Sequence, residues 1–316
     1  MKRIGKTAQG GRMAQTPLII EVALNGQTPK SQNPNVPYSD DEIVEQALAC
    51  MDAGAAIVHN HTQEPIFGGT GKFDSEAYAR PWRRVLEARP DAILVPTMPV
   101  GQQGVPVEVR YSHIVAMAKE GLIAQGLCDP GSFNLSLIGA DGLFAPSDMI
   151  YRNDMNDSHY YVETCRELNL GLSVSIFEPG FLKFMMAYVR AGKLPPGTLF
   201  KLYFSTPDAS FGFAPTAKAL DAYIEMMDGC NVPWLVSSFG QDCVDCGIAE
   251  ESIKRGGHVQ VGLEPRMGAD GSTPTNVELV KKVVELAGRL GREVATPEVA
   301  AGILGLPAYP VGFGGK

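Results

Sequence analysis

The sequence has no apolar run of the roughly 18 residues that a membrane-spanning helix needs. Residues 1–16 are polar and basic, and they lack the apolar stretch of a secretory signal. The net charge of −8 gives no general attraction to nucleic acid or anionic lipid, although it is compatible with a local basic pocket. These absences predict a cytoplasmic protein without a nucleic-acid or membrane partner. Residues 1–16 are expected to form a flexible arm that is mobile or lies on a neighbouring subunit.

Cysteine is present, but not in a pattern that carries chemistry. Six cysteines in a long chain without a signal favour reduced thiols. Cys243 and Cys246 have the spacing of half a zinc or redox motif, but no second pair accompanies them, so we expect them to be structural. No Gly-rich dinucleotide fingerprint follows the first predicted strand, which argues against a Rossmann enzyme.

Short apolar runs alternate with longer helical stretches along the chain, as expected for parallel strands buried on both faces. The predicted strands are 17–24, 55–59, 91–97, one within 123–136, 171–177, 198–204, 232–238 and 258–263. The predicted helices are 40–53, 75–88, 107–120, 157–168, 180–190, 215–227, 241–254 and 275–288. Eight such units without a linker predict one α/β domain, a (β/α)8 TIM barrel over 17–316, with an extra C-terminal helix at 297–304.

Local signals fix some of these boundaries. Ser39 and Glu42 have the capping-box spacing at the start of helix 40–53, and Gly54 is placed to end it. Pro81 is expected to break helix 75–88 near its start, because proline removes a backbone donor and clashes with the preceding turn.

Two histidines close the second predicted strand in the run AAIVHNH. On an extended segment, residues i and i+2 face the same side, so His59 and His61 can share one ion while Asn60 faces away. Two imidazoles occupy only two of the four coordination positions of tetrahedral zinc, so we expect a carboxylate as third ligand and an open fourth position. Glu264, at the end of the eighth strand, is the best third ligand. Glu21 within the first strand is a rival, although it could face a helix.

Other residues at the strand ends are candidates for weaker roles. In a barrel the active site lies at the carboxyl ends of the strands, which makes Asn25 and Thr97 candidate substrate contacts. His258 opens the eighth strand at the opposite end, where a structural role is expected. Trp82 is expected to pack in the core. The Gly-rich run at 68–71 could approach a ligand or be a flexible loop.

Four segments together resemble the β-keto acid cleavage enzyme family: PLIIEVALNG, AGAAIVHNH, GGHVQVGLE and NVELVKKVVELAGRLGREVATPEVA. The resemblance runs over about 17–304. It implies a (β/α)8 barrel, a homotetramer, and Zn²⁺ on His59, His61 and Glu264. It also implies a reaction in which a small β-keto acid and acetyl-CoA give acetoacetate and a new CoA thioester; the best-known activity is cleavage of 3-keto-5-aminohexanoate.

The sequence departs from the family pattern at several positions that carry acid–base chemistry. Pro96 stands where the family has Ser, and Ser175 aligns with a catalytic Glu. Gln260 replaces an Arg, and Pro265 replaces an Asp. Ser132 replaces a Thr near the fourth strand, a mild change. The metal ligands are kept while much of the proton-transfer apparatus is not.

Residues nearby could take over the lost roles. Glu178, three residues past Ser175, is predicted to act as the catalytic base, and Arg266 to bind a substrate carboxylate with its guanidinium. Asp129, Asp242 and Asp245 are lower-ranked carboxylates. Asn25, Thr97, Ser132, Ser175 and Gln260 are predicted to contact the substrate.

Three functions therefore remain open. The first is zinc-dependent carbon–carbon bond cleavage and condensation with acetyl-CoA, as the resemblance implies. The second is a zinc hydrolase of a small amide, ester or lactone on the same barrel, which suits the missing residues. The third is a non-catalytic binder that kept the metal site. Dependence on CoA separates the first from the second.

Overall fold

The structure is a computed structural model that describes residues 16–26, 28–62, 73–98, 104–266 and 271–307. Three features named above lie outside the described residues: residues 1–15 of the predicted arm, the Gly-rich run at 68–71 and the side chain of Arg266. Within these ranges, no helix is long and apolar enough to cross a bilayer.

Eight parallel strands form the core of the fold. In chain order, the eight strands of this sheet are β1 Ile20–Ala23, β2 Ile57–Asn60, β3 Ile93–Pro96, β4 Gln125–Cys128, β7 Gly171–Ile176, β8 Leu199–Ser205, β9 Trp234–Phe239 and β10 His258–Gly262. Two short strands, β5 Phe133–Asn134 and β6 Ile150–Tyr151, form a separate pair. The large sheet has the strand order β3-β2-β1-β10-β9-β8-β7-β4. The first barrel strand in the chain, β1, pairs with the last, β10, and β3 and β4 at the two ends of the order contact each other, so the sheet curls into a barrel. The predicted (β/α)8 class is confirmed.

Helices cover the outside of this barrel. They are α1 Asp40–Ala53, α2 Ser75–Ala88, α3 Val107–Arg110, α4 Ser112–Glu120, α5 Met155–Glu167, α6 Pro179–Arg190, α7 Ala217–Met226, α8 Ile248–Lys254, α9 Leu263–Arg266, α10 Asn276–Leu290 and α11 Pro297–Leu304. The capping box of Ser39 and Glu42 forms as predicted, and Gly54 ends α1 in the left-handed region. The C-terminal helix has the predicted bounds.

The prediction that Pro81 breaks its helix is wrong. The helix α2 is continuous from Ser75 to Ala88 with Pro81 inside it. Its inner face buries Tyr78, Trp82 and Val85. We attribute the tolerance to this packing, which offsets the lost backbone hydrogen bond.

Three other segments differ from the prediction. The helix expected over 107–120 is divided at Tyr111 into α3 and α4. The helix expected over 241–254 begins only at Ile248, because Gly247 adopts a left-handed backbone and the carboxylate of Asp242 binds the backbone N–H of Val244 in a turn before it. Between β4 and α5 the chain forms an additional antiparallel pair, β5 with β6, which was not predicted. This hairpin lies beside the carboxyl end of the barrel and contributes to the site described below.

The strand register determines which side chains face the barrel interior. Glu21 pairs with Gln260 on β10, and Lys201 pairs with Ser175 on β7. The Nζ atom of Lys201 lies 3.3 Å from Oε1 of Glu21. Because β1 and β8 are separated by two strands, this contact must cross the interior. Glu21 therefore faces the interior and not a helix, which corrects the alternative left open above.

Candidate active site

Three potential metal ligands meet at the carboxyl end of the barrel. His59 and His61 come from β2 and the residue after it, and Glu264 comes from the one-turn helix α9 directly after β10. The Nε2 atoms of His59 and His61 lie 3.1 and 2.9 Å from the two carboxylate oxygens of Glu264. The potential ligand atoms all lie within 4.8 Å of one another. Burial alone would raise the pKa of Glu264, but the two imidazoles outweigh it and lower that pKa below its ordinary value.

Backbone groups hold the two imidazoles in place. The Nδ1 atom of His59 lies 2.9 Å from the carbonyl oxygen of Val95, which leaves Nε2 directed at Glu264. The backbone N–H of His61 donates to Oδ1 of Asn25 at 2.7 Å, and Nδ2 of Asn25 donates to the carbonyl of Pro37 at 2.9 Å. Asn25 is thus a positioning residue for His61; the sequence had suggested a substrate contact.

Glycine makes room for the third ligand. Gly26 has a φ of +148°, and a Cβ there would lie 2.4 Å from Cγ of Glu264. Gly262, with a φ of +140°, would place a Cβ 2.0 Å from the carbonyl oxygen of Ala23. Neither position accepts a side chain without displacing backbone or the ligand. The close packing of β1 against the end of β10 therefore fixes the place of the carboxylate.

A buried polar pair supports the metal strand from behind. The Nε1 atom of Trp82 donates to Oδ1 of Asn60 at 2.7 Å, and Nδ2 of Asn60 donates to the carbonyl of His61 at 2.9 Å. Both side chains are buried. The prediction that Trp82 packs in the core is confirmed, and Asn60 faces α2, away from His59 and His61, as predicted.

A buried ionic group lies in the barrel interior below the ligands. Lys201 and Glu21 are 1% and 0% exposed, and Nε2 of Gln260 donates to Oε1 of Glu21 at 2.6 Å. Burial alone would lower the pKa of Lys201, but neighbouring charges, led by Glu21 and including Glu264, raise it above its ordinary value. Oε2 of Glu21 and Oε1 of Gln260 have no hydrogen-bond partner among the described residues. Lys201 was not among the residues predicted from the sequence, where its signal is a lysine at an inward position of an apolar strand.

Asp129 is a second interior carboxylate, just past the end of β4. It is buried, and the hydroxyl of Tyr151 on the β5–β6 hairpin donates to its Oδ2 in a short hydrogen bond. Burial raises the pKa of Asp129, which hydrogen bonds from Tyr151 and Ser175 and the charges of Lys201 and His59 only partly offset. A raised pKa makes a carboxylate a better proton acceptor near neutral pH.

Comparison with known proteins decides the family. A model of the beta-keto acid cleavage enzyme matches residues 17–306. The chain belongs to this enzyme family. It is 29% identical over 292 residues to the 3-keto-5-aminohexanoate cleavage enzyme of Acetoanaerobium sticklandii, covering 92% of this chain and 98% of that enzyme. It is 25% identical over 300 residues to the 3-oxoadipate:acetyl-CoA acetyltransferase of Cupriavidus necator, covering 93% and 97%.

Solved structures agree with the barrel. The apo structure of ObcA superposes with a TM-score of 0.63 at 16% identity, covering 87% of this chain; the present chain spans 66% of ObcA, just under two thirds. A type I 3-dehydroquinate dehydratase from Clostridium difficile gives a TM-score of 0.51 at 11% identity, covering 87% and 94%. At these identities, the likeness shows the fold alone.

Glu178, predicted as the base of this β-keto acid cleavage enzyme, is engaged away from the metal ligands. Its Oε1 accepts a hydrogen bond from the backbone N–H of Gly212 at 3.0 Å. Glu178 is not part of the cluster of potential metal ligands formed by His59, His61 and Glu264.

Three other predicted site residues, Asp242, Asp245 and Ser132, have partners within the protein. Asp242 and Asp245 both bind Nζ of Lys282, at 2.8 and 2.6 Å, which makes them ion-pair residues of the helix layer. Ser132 donates to the carbonyl of Asn153 at 2.9 Å and accepts from its N–H at 3.0 Å, so its hydroxyl holds the base of the hairpin.

Thr97 lies half-buried just past β3, at the rim where a substrate contact was predicted. Its carbonyl oxygen is 2.9 Å from Nε2 of His113. Burial lowers the pKa of His113 to about 4, so this imidazole is neutral at pH 7 and donates to Thr97.

The expected structural residues take those roles. Nδ1 of His258 accepts from the backbone N–H of Ile19 at 3.0 Å, at the amino end of the barrel. Burial, together with the charge of Arg292, lowers the pKa of His258 to about 3. Burial raises the thiol pKa of both Cys243 and Cys246, so neither is a thiolate at pH 7, and all six cysteines are free.

Proposed function

We propose that this protein is a cytoplasmic, zinc-dependent enzyme that converts a β-keto acid and acetyl-CoA into acetoacetate and a new CoA thioester. The observation that carries the proposal is the cluster of His59, His61 and Glu264 facing an ionic barrel interior. Family membership supports the reaction class, since relatives are named for cleavage or acetyl-CoA transfer of keto acids.

The donor set fits zinc. Two imidazole nitrogens and one carboxylate are a ligand set that Zn²⁺ prefers, and three protein ligands leave a position for substrate. Metal-binding histidines usually donate their other ring N–H to a carbonyl or carboxylate, which orients the imidazole. The carbonyl of Val95 is in place to accept this hydrogen bond from Nδ1 of His59. Bound zinc would supply Lewis-acid stabilisation of negative charge on the keto oxygen.

Asp129 is proposed to carry the proton. Glu264 is engaged by both imidazoles and Glu21 by Lys201, whereas Oδ1 of Asp129 has no hydrogen-bond partner among the described residues. It replaces Glu178, which is held by Gly212. Ser175 lies beside Asp129, so Ser at this position is compatible with a base supplied from β4.

The proposed reaction begins with proton removal and continues with two acyl-transfer steps. Asp129 takes a proton from the carbon between the ketone and the carboxylate, and that carbon attacks the acetyl thioester and releases CoA thiolate. The thiolate attacks the original ketone, and the bond between that ketone and the central carbon breaks. The products are the new thioester and the acetoacetate carbanion, to which Asp129 returns the proton.

Two cations are proposed to stabilise the negative charge. The ammonium of Lys201 is buried in the barrel interior, where a fixed charge stabilises an enolate more strongly than it would in water. Arg266, two residues past Glu264, is proposed to bind the substrate carboxylate in place of the family arginine lost at Gln260. Thr97 and Gln260 are proposed to line the same pocket.

The deciding experiment is an assay of zinc-loaded protein with acetyl-CoA and a panel of β-keto acids. Acetoacetate that forms only when both substrates are present supports the proposal. Hydrolysis of an ester, amide or lactone without acetyl-CoA would replace it with the zinc-hydrolase function. Binding of β-keto acids without turnover, at one zinc per chain, would favour the non-catalytic function.

A homo-oligomer is proposed as well. Several large apolar side chains of the segment between β5 and β6 are exposed: Leu137, Ile138, Leu143, Phe144 and Met149. Apolar patches of this kind often mark subunit contacts. Light scattering should give a multiple of 33.9 kDa, consistent with the tetramer that the resemblance implies, and Leu143→Asp should lower it. A monomeric wild type would refute the proposal.

A further inference from the structure

Six aromatic side chains form one connected wall at the carboxyl end of the barrel, here called the aromatic wall. Its members come from the β5–β6 hairpin, from three strand ends and from the loop after β8: Phe133, Tyr151, Phe177, Tyr203, Phe211 and Phe239. The aromatic wall was not predicted from the sequence, because its members are far apart in the chain.

The rings of the wall are in direct contact. Phe133 stacks on Tyr151 with centroids 5.0 Å apart, and it lies 4.7 Å from Phe211. Phe177 stacks on Tyr203 at 4.7 Å, and Tyr203 lies 5.1 Å from Phe239. Most of the rings are buried, while Phe133 and Phe239 are partly exposed, so the wall reaches the surface.

The wall adjoins two charged groups of the interior, Asp129 and Lys201, and the ammonium of Lys201 lies 5.9 Å from the ring centroid of Tyr203. Ser175 and Lys201 pair on neighbouring strands and face the interior. Because residues i and i+2 of a strand face the same side, Phe177 and Tyr203 also face the interior, two residues closer to the carboxyl end. The hydroxyl of Tyr151 donates to Asp129, the proposed base. A substrate whose keto group lies between the ligands and Asp129 would therefore extend its side chain along these rings.

The wall offers no described partner for a charged side chain. Of the nearby carboxylates, Asp129 lies at the inner end of the wall with Tyr151 on its Oδ2, and Glu178 accepts a hydrogen bond from the backbone N–H of Gly212. Lys201 is paired with Glu21 below the wall. A carboxylate buried among the rings would lose hydration without a compensating contact, and an ammonium would have only the ring faces, which compensate part of its lost hydration.

We propose that the substrate side chain is apolar: the enzyme acts on β-keto acids with an alkyl or aryl group on the ketone. This proposal rests on the proposed function. It excludes the charged substrates for which two relatives are named, 3-keto-5-aminohexanoate and 3-oxoadipate, as the preferred substrates of this chain.

These two compounds and 3-oxohexanoate form a matched set, since each has six carbons and only the charge of the side chain differs. We expect kcat/KM with acetyl-CoA to be about a hundredfold higher for 3-oxohexanoate than for either charged compound. Equal or better turnover of a charged compound would overturn the apolar assignment while leaving the reaction class intact.

Binding tests the assignment independently of turnover. The corresponding 3-hydroxy acids lack the reactive ketone and can be titrated calorimetrically into the zinc-loaded protein. The apolar 3-hydroxyhexanoate should bind at least about tenfold more tightly than 3-hydroxyadipate or 5-amino-3-hydroxyhexanoate. Charged analogues that bind as tightly would refute the inference. An inactive protein that still prefers the apolar analogue would refute only the proposed reaction.

A single ring tests whether the wall makes the selection. Phe133→Ala removes a partly exposed ring of the wall, and the preference for 3-oxooctanoate over 3-oxopentanoate, as a ratio of kcat/KM, should fall about tenfold. Phe213→Ala is the matched control, because Phe213 is 37% exposed and packs against Tyr223 outside the wall. An unchanged ratio in Phe133→Ala, or an equal fall in both variants, would overturn the inference.

Discussion

The two sides of the barrel mouth are built from different kinds of sequence information. On the side of β1, β2 and β10, three ligands meet on neighbouring strands, and two of them come from one short motif. On the side of β4, β7 and β8, Asp129, Lys201 and the aromatic wall meet through contacts between distant segments. A short motif makes the first side recognisable in the sequence, whereas the second side becomes visible only in the fold. A family resemblance therefore indicates the reaction class before it indicates the substrate.

The largest effect is expected on the metal side. His61→Ala removes one of two imidazoles, and zinc content should fall below about a tenth per chain, with turnover down at least about a thousandfold. Metal analysis and the acetoacetate assay measure the two effects. His159→Ala is the control, since His159 contacts Tyr188 on the outer helices. Full zinc and turnover in His61→Ala would remove the assigned ligand set.

The other side should lose chemistry without losing metal. Asp129→Asn keeps the shape and the contact with Tyr151 but cannot take a proton, so kcat should fall by about 10²–10⁴-fold. Zinc content should stay at the wild-type level. Asp245→Asn, which changes a carboxylate paired with Lys282, should leave kcat unchanged. Retained kcat in Asp129→Asn would show that another group is the base.

The buried ion pair links stability to activity. Lys201→Met leaves Glu21 unpaired in the interior and should lower the free energy of unfolding by about 3–5 kcal/mol. Denaturant unfolding measures this loss. Glu21→Gln added to Lys201→Met should restore most of the stability, because no uncompensated charge remains. If the double variant also regained full turnover, the ammonium would have no part in the reaction.

The smallest effect is expected at the amino end of the barrel, away from both sides of the mouth. The pKa of His258 is lowered from 6.5 to about 3, so below pH 6.5 the unfolded chain binds a proton that the folded chain does not. The free energy of unfolding should therefore fall by about 1.4 kcal/mol per pH unit from this group as the pH drops from 6.5 towards 3.

His258→Asn keeps an acceptor for the N–H of Ile19 and removes this proton. The stability gap between wild type and variant should shrink as the pH falls, as measured by denaturant unfolding at several pH values. Turnover at pH 7 should be unchanged. A gap that stays constant with pH would show that His258 is not neutral in the folded protein.

Local signals account for what the sequence predicted well. The capping box of Ser39 and the Thr296-Pro297 start of α11 set helix bounds through contacts a few residues apart. The strands were located to within a few residues from apolar runs. The helix before Ile248 was predicted too long, because the turn that precedes it depends on the backbone of Gly247.

In the site, a set of potential ligands could be predicted from the sequence, but their surroundings could not. His59 and His61 are two residues apart, so strand geometry alone places them together. The pairing of Lys201 with Glu21 joins residues 180 positions apart, and it depends on barrel closure and register. Glu178 was predicted from its nearness to Ser175 in the chain, but the strand ends between them, and its side chain turns to Gly212.

The contact between Gly26 and Glu264 sets a condition on other chains of the family. A relative can keep both histidines and the glutamate and still lose the site if the residue after its first-strand asparagine carries a side chain. That side chain would occupy the space of the glutamate Cγ, which lies 2.4 Å from the position of a Cβ here. The Asn-Gly pair offers no ligand atom, yet it belongs in the diagnostic signature of a metal-competent member beside the His-x-His and Gly-Leu-Glu motifs.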